Sequence, residues 1–332
     1  MSSVVIGETT LTLCAQRLLF AGRPILFRTN APKIARYARD FFAQTNDSNL
    51  PSAQALATIT IYARETDEPS EGAPSFRGRG HFAAGRFTLA DSFWFNLRTR
   101  EVHGTCPLSL ADDRMRWRAH IFPALLGILS ATIDVAPVHA ACLARGKHGL
   151  LLAGQSRAGK STLTVAMAKR GYALLSDDWT YLSATGARTN KEEGVEAWGI
   201  PVPVKLLPDA SRFFPELLDY LPQQSLNGEI AYEVSPGQCF GVSRVLRCPV
   251  TVVALLERRK KPGSSIVPIT ANEAIHHLAK EVEPLGGSLA RCYETQIDLI
   301  RRLGNASCYR VSFNNPPDNV AEVLDDTLTN LS

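Results

Sequence analysis

The octapeptide Gly154–Ser161, GQSRAGKS, constrains this chain of 332 residues more than any other stretch. It matches G-x-x-x-x-G-K-[ST], a loop whose backbone N–H groups converge on an anion because its glycines keep side chains out of the turn. A strand-like run, HGLLLA, precedes the loop, and a helical run, TLTVAMAKRG, follows it. That helix adds the unpaired N–H groups of its first turn and its dipole. This context favours a nucleotide-binding loop over an ordinary glycine turn before a helix.

The residues of the loop have distinct predicted roles. Lys160 would reach the β- and γ-phosphates of a nucleotide, and the Ser161 hydroxyl would bind Mg²⁺. We therefore predict ATP and Mg²⁺ as cofactors, with GTP and pyrophosphate left open as alternative donors. The predicted nucleotide-binding residues are Gly154, Gln155, Ser156, Arg157, Ala158, Gly159, Lys160, Ser161 and Thr162.

Two adjacent carboxylates, Asp177 and Asp178, follow the apolar run ALLS one helix after the loop. A strand that ends there would place both carboxylates near the γ-phosphate. One could then orient the metal, and the other could take a proton from an attacking hydroxyl. The alternative is a solvated Asp-Asp turn, which the nearby phosphate loop disfavours.

The chain is long enough for two domains. Residues 1 to about 110 read as a smaller α+β domain, with an amphipathic helix at Pro32–Gln44, a loop at Thr66–Gly80 and two strands around a turn near Arg98–Arg100. From residue 111 a helical segment, in which Pro123 predicts a break, leads into alternating strands and helices. The pattern predicts an α/β fold for residues 111–332.

The stretch Val138–Asp178 resembles the catalytic domain of the HPr kinase/phosphorylase family. The family carries a His before the strand, a G-x-S-G-x-G-K-S loop and then R-G-H-x-L-x-x-D-D, and this chain has His139, GQSRAGKS and KRGYALLSDD. The cadence is closer still to the HPr-kinase-like peptide kinases of lasso-peptide gene clusters, which share the Ser before the aspartates. The resemblance implies a phosphoenolpyruvate carboxykinase-like P-loop kinase that phosphorylates a serine hydroxyl, and it is compatible with a homo-oligomer.

The resemblance also implies individual roles. Asp177 matches the catalytic base and Asp178 its metal-side partner, and Lys160 completes the catalytic set. His139 matches a histidine near the transferred phosphate, although VHAA equally fits a core histidine. Glu196 matches a metal-side acid, at even odds against a surface glutamate.

Two positions depart from the family pattern. Arg157 replaces the first inner glycine of the loop, and Trp198 replaces the arginine of the R-G motif that is associated with dephosphorylation. The second departure puts phosphorylase activity in doubt. HPr as the partner is in doubt as well, because the first hundred residues show no likeness to the family.

Three further sequence features each allow a functional and a purely structural interpretation. Lys205 fits either a phosphoryl-binding lysine or, by preference, a solvent-facing one. The basic run Glu257–Ser265 fits a solvated turn better than an anion site. The aromatic run Phe93–Phe95 fits core packing better than a peptide-docking edge.

Composition limits the other classes. A formal net charge of +4, from 36 basic and 32 acidic residues, gives no reason to expect binding to nucleic acid or to an anionic membrane. The beginning of the sequence lacks a signal-peptide pattern, and seven scattered cysteines are typical of reduced thiols. We expect a soluble, cytoplasmic protein.

The sequence is compatible with three functions. The first is an ATP- and Mg²⁺-dependent kinase that acts on a serine-type hydroxyl of a peptide or small protein. The second is a kinase of a hydroxyl-bearing small metabolite, and the third is a nucleotide-binding regulator without transfer. The adjacent aspartates argue against the third, since a sensor needs no base.

Overall fold

The computed structural model describes residues 2–6, 9–42, 55–66, 72–184, 194–225 and 228–329. The chain divides into two compact units, Met1–Val135 with Pro284–Thr295, and Ala136–Glu283 with Gln296–Ser332. The first unit therefore includes the helical segment that begins at Ala111, which the sequence analysis assigned to the second domain. The roles assigned to the two domains stay predictions.

An eight-stranded sheet forms the frame of the first unit, in the order β1-β2-β3-β4-β8-β7-β6-β5. Its strands are β1 (Ser2–Ile6), β2 (Thr9–Phe20), β3 (Arg23–Thr29), β4 (Ala57–Arg64), β5 (Ser75–Arg79), β6 (Phe82–Arg86), β7 (Ser92–Asn96) and β8 (Glu101–Pro107). The prediction of a loop over Thr66–Gly80 is wrong for Ser75–Arg79, because these residues form β5 and pair with β6. Part of that loop lies outside the described residues.

Helices of the first unit pack on one face of this sheet. They are α1 (Pro32–Phe42), α2 (Leu108–Ala111), α3 (Arg114–Arg116) and α4 (Phe122–Ser130), with a π-helical turn, Trp117–Ile121, before α4. Rings from the sheet and the helices form an aromatic core, in which Phe122 lies 6.0 Å from Phe27 and 5.2 Å from Trp117. A break or kink was predicted at Pro123; the structure instead has a π-helical turn just before it, and Ile121 and Phe122 at the junction with α4 keep helical φ and ψ.

The second unit contains a mixed eight-stranded sheet and a small three-stranded one. The larger sheet comprises β9 (Ala136–Arg145), β10 (His148–Gly154), β11 (Ala173–Ser176), β12 (Trp179–Ala184), β13 (Val195–Trp198), β17 (Arg247–Arg258), β18 (Ser264–Pro268) and β19 (Ser307–Phe313). The smaller sheet comprises β14 (Val204–Leu206), β15 (Gln223–Gln224) and β16 (Ile230–Val234). The predicted α/β class is confirmed, whereas the phosphoenolpyruvate carboxykinase-like arrangement stays a prediction.

Five further α-helices are described: α5 (Lys160–Lys169), α6 (Pro236–Phe240), α7 (Ala271–Ala279), α8 (Ala290–Arg301) and α9 (Pro317–Thr329). Helix α5 packs against α9, and the apolar side chains of both join the sheet in one core that includes Leu152, Leu163 and Leu324. Over the described ranges, no helix is long and apolar enough to cross a membrane.

Candidate functional site

The predicted phosphate loop connects β10 to α5, as the sequence indicated. Gly154 ends β10 with φ 155°, and Gly159 precedes α5 with φ 97°. Both values lie where only glycine is comfortable. A Cβ on Gly154 would also lie 2.7 Å from the carbonyl oxygen of Leu256 on the neighbouring strand β17. The glycines are therefore needed both for the turn and for the close approach of two strands.

Arg157 occupies a position in the loop that favours glycine. Its φ is 64°, in the left-handed region, which costs an ordinary residue roughly 1–2 kcal/mol. This is the position at which the resembled family carries glycine. The side chain is exposed, and its guanidinium nitrogen lies 3.8 Å from a carboxylate oxygen of Glu229. Glu229 directly precedes β16 of the three-stranded sheet.

Lys160 is buried at the start of α5, and its ammonium group folds back over the loop. Nζ donates hydrogen bonds to the carbonyl oxygens of Gly154 (2.8 Å) and Gln155 (3.3 Å). Burial lowers the pKa of Lys160, and the charges of Asp178 and Glu281 oppose that shift. These two carboxylates therefore lie close enough to the ammonium group for their charges to act on it.

The two aspartates lie in a bend between β11 and β12, directly after the strand that the sequence predicted to end there. Ser176 pairs with Cys142 and Trp179 with His139 on one side of β9, and Ala153 pairs with Ala140 on the other side. The bend is thus separated from the phosphate loop by the single strand β9, or about 10 Å at the usual strand spacing. The Ser176 hydroxyl donates to the carbonyl oxygen of Trp179 and closes the bend.

Asp177 is buried, with 2% of its surface exposed. The backbone N–H of Lys205 donates to its Oδ2 at 3.0 Å. Burial raises its pKa to about 7, the Lys205 N–H and Arg244 act in the opposite direction, and the charge of Asp178 adds to the rise. A carboxyl group with this pKa can gain and lose a proton near neutral pH, as a general base must.

Asp178 is exposed and contacts His139. His139 Nε2 lies 2.9 Å from Asp178 Oδ1, and its Nδ1 lies 3.9 Å from Glu281 Oε2. The imidazole also stacks on Trp179, with ring centroids 5.3 Å apart. The structure thus groups His139 with Asp178 and Glu281, and the charges of these two carboxylates act on the loop lysine.

Glu281 was not predicted, and Glu196 is placed elsewhere. Glu281 follows α7 in the run KEVEP, where nothing in the spacing separates it from surface glutamates. Glu196 lies on β13 opposite Ser183, five residues along β12 from Asp178, and its carboxylate faces Arg247 at 3.8 Å. The structure does not bring Glu196 to Ser161 and Asp178.

The residues present fit a magnesium ion held together with a nucleotide. Mg²⁺ usually takes one or two carboxylates and completes its shell with phosphate oxygens and water. Ser161, half-buried in the first turn of α5, and the exposed carboxylate of Asp178 are groups of the right chemistry, and a nucleotide would have to bridge the strand β9 that lies between them. Among the described residues, no three or more His, Cys, Asp and Glu side chains are grouped so that they could hold a metal ion by themselves.

A cavity of about 400 Å³ adjoins the phosphate loop. Its walls are Gln155–Ala158, the end of β17 at Leu255–Arg258, Arg310 on β19, and the α7 residues His276 and His277, with Lys280 next to the helix. Burial lowers the pKa of His277, and the charge of Lys160 adds to that shift. The loop therefore opens onto a space large enough for more of a ligand than its phosphates.

Asp177 should make stability depend on pH. Because its folded pKa is raised to about 7 from 3.8, the folded protein keeps this proton longer than the unfolded chain does. Its contribution to stability is largest below about pH 4 and is lost as pH rises to about 7, at about 1.4 kcal/mol per pKa unit. We expect urea unfolding without Mg²⁺ or nucleotide to show this loss in the wild type and not in Asp177→Asn. Parallel profiles for the two proteins would contradict the raised pKa.

Comparisons with known proteins give little further information. No family model matches the sequence. No curated protein matches it either. Among solved structures, the chain is similar to the Hpr(Ser) kinase/phosphatase from Coxiella burnetii, with 14% sequence identity over 59% of this chain and 97% of that one, at a TM-score of 0.30. A likeness this distant carries no weight for the activity.

Proposed function

We propose that the protein is a P-loop phosphotransferase that moves the γ-phosphoryl group of ATP to a serine-type hydroxyl of a peptide or small protein. The observation that carries the proposal is the position of Asp177, a buried carboxyl group one strand away from a complete phosphate loop. Its burial raises its pKa to about 7, which suits a base. A nucleotide-binding regulator needs no such base. The cavity beside the loop supports a nucleotide over pyrophosphate as donor.

The reaction follows from these positions. The acceptor hydroxyl gives its proton to Asp177 as its oxygen bonds to the γ-phosphorus, and the bond from that phosphorus to the β,γ-bridging oxygen breaks to release ADP. Lys160 and the loop N–H groups stabilise the charge on the transferring group. Bound Mg²⁺, held by Ser161 and Asp178, would neutralise phosphate charge, and His139 would orient Asp178.

The test is transfer from γ-labelled ATP with Mg²⁺ to a pool of serine-containing peptides and to a pool of hydroxyl metabolites. We expect an alkali-labile labelled peptide, reduced about 100-fold or more in Lys160→Ala because a charge that stabilises the transferring group is removed. Lys147→Ala, in the exposed turn between β9 and β10, should retain wild-type activity.

The same experiment decides among the alternatives. Label found only in a small molecule would favour the metabolite kinase, which uses the same residues. Binding of ATP without label in either pool would contradict phosphoryl transfer and favour the regulator.

A further inference from the structure

The sheet of the first unit has a second face, opposite the one that carries Phe27 and Phe93. Strand pairing shows which residues share it, because directly paired side chains point to the same side of a sheet. Arg77, Ala84, Trp94 and His103 pair in sequence across β5, β6, β7 and β8. Two residues further along β5, on the same face, Arg79 pairs with Phe82 of β6. Two residues in the other direction, Ser75 pairs with Arg86. We call Arg77, Arg79, Phe82, Arg86 and Trp94 the basic-aromatic face.

Large aromatic side chains on this face are exposed to solvent. Trp94 is 62% exposed and Phe82 is 54% exposed, whereas Phe93 and Phe95, on either side of Trp94 in β7, are buried. Core packing, the preferred interpretation of the aromatic run at Phe93–Phe95, is confirmed for its two phenylalanines, and peptide docking stays a prediction. The two phenylalanines of the run are core, and its tryptophan is presented outward. Exposed aromatics grouped on a surface favour contact with another molecule.

The charged residues of this sheet are almost all basic. Its eight strands contain a single acidic residue, Glu101, and seven arginines: Arg17, Arg23, Arg28, Arg64, Arg77, Arg79 and Arg86. Arg77, Arg79 and Arg86 are exposed, and no described carboxylate forms an ion pair with them. Three exposed arginines on one face outnumber Glu101, the acid that shares the row of Arg79 and Phe82, and such a surplus of positive charge attracts an acidic partner.

The free edge of β5 points to a peptide as that partner. β5 is the last strand in the sheet order, and β6 is its one partner strand among the described residues. Its unpaired N–H and C=O groups can accept another strand, whose alternate side chains would lie beside Arg77 and Arg79. Arginines on an edge strand also prevent pairing between copies, but that role does not account for exposed Trp94 and Phe82. A nucleic acid could use the arginines and the tryptophan, but it cannot pair with the strand edge in register.

We propose that the basic-aromatic face docks an extended acidic segment of the acceptor. The segment pairs along β5 with carboxylates at alternate positions, opposite Arg77 and Arg79. Adjoining apolar residues of the acceptor cover Phe82 and Trp94, about 5 and 10 Å from β5 at the usual strand spacing. That the docked partner is the acceptor rests on the proposed function.

The test measures binding of a short fluorescein-labelled peptide, with Asp or Glu at alternate positions and Leu-Phe at one end, to the full chain without nucleotide. We expect Arg77→Glu combined with Arg79→Glu to weaken binding at least about tenfold, and Trp94→Ala to weaken it several-fold. The matched control is Arg36→Glu with Arg39→Glu, two exposed arginines of α1, which changes the net charge equally and should alter affinity less than twofold. The same peptide with alternate amides N-methylated should lose its affinity, because its charge is kept but its strand pairing is blocked.

Three results of the binding assay would overturn the docking proposal. They are equal losses in both double variants, undiminished binding of the N-methylated peptide, and tighter binding of a single-stranded oligonucleotide of equal charge that depends on the same arginines. Transfer from ATP in a wild-type protein that does not bind the acidic peptide would also reject the docking face while leaving the kinase proposal intact. Peptide binding that depends on Arg77 and Arg79, in a protein that transfers no phosphate, would support the docking face and reject the kinase.

Discussion

Asp177→Asn is expected to lower kcat for phosphoryl transfer by about 10²–10⁴-fold, the usual contribution of a positioned base. The amide oxygen of Asn can still accept the N–H of Lys205, so the bend between β11 and β12 should keep its geometry. The affinity for ATP, measured separately, should therefore stay within a few-fold of the wild-type value. Phosphopeptide formation under single-turnover conditions is the measurement.

The matched control for this change is Asp298→Asn, an exposed aspartate on α8 that pairs with Arg301 in the next helical turn. It removes the same charge and should leave both kcat and affinity unchanged. If Asp177→Asn kept more than about a tenth of the wild-type kcat, Asp177 would not be the base.

Gly199→Ala is expected to disturb both stability and the site. A Cβ at Gly199 would lie 2.0 Å from the carbonyl oxygen of Leu175, and backbone atoms of buried β11 cannot move aside cheaply. Overpacking of this kind typically costs about 1–3 kcal/mol and occasionally more, and we expect the upper end of that range. Since Leu175 lies two residues before Asp177, the base should also be displaced, and transfer should fall.

Urea unfolding monitored by tryptophan fluorescence, together with the transfer assay, measures these two effects. Gly304→Ala is the control, because no heavy atom lies within 4 Å of a Cβ built there. It should change the free energy of unfolding by no more than about 0.5 kcal/mol. Equal midpoints for the two variants would show that β11 tolerates the methyl group.

The phosphate loop was predictable from the sequence because its determinants are local. The glycines, the preceding strand and the helix that follows all lie within one short segment, and β10 and α5 are found where the pattern indicated. The turn between β9 and β10 and the burial of one face of α1 follow from similarly local patterns.

Other parts of the site depend on pairing between distant segments. β11 and β12 are separate strands because they pair with different halves of β9. Glu196 was assigned from a resemblance of spacing, but pairing of β13 with β12 and β17 fixes it several residues away from the aspartates. Glu281 and the Lys205 N–H reach the site through tertiary folding, and no short motif marks either of them.

Glu229 links the two halves of the candidate reaction. Its carboxylate lies 2.8 Å from Lys205 Nζ, whose backbone N–H holds Asp177, and 3.8 Å from Arg157 in the phosphate loop. A ligand that draws Arg157 toward its phosphates would therefore change the electrostatic surroundings of the lysine that positions the proposed base. Thermodynamic linkage requires this effect to be reciprocal. If nucleotide binding shifts the protonation of Asp177, protonation of Asp177 shifts the free energy of nucleotide binding by the same amount. Lys205 and Glu229 are half-buried, but Arg157 is exposed. An ion pair with an exposed partner contributes about 1 kcal/mol or less, so donor and base would communicate weakly, as a fine adjustment and not as a switch.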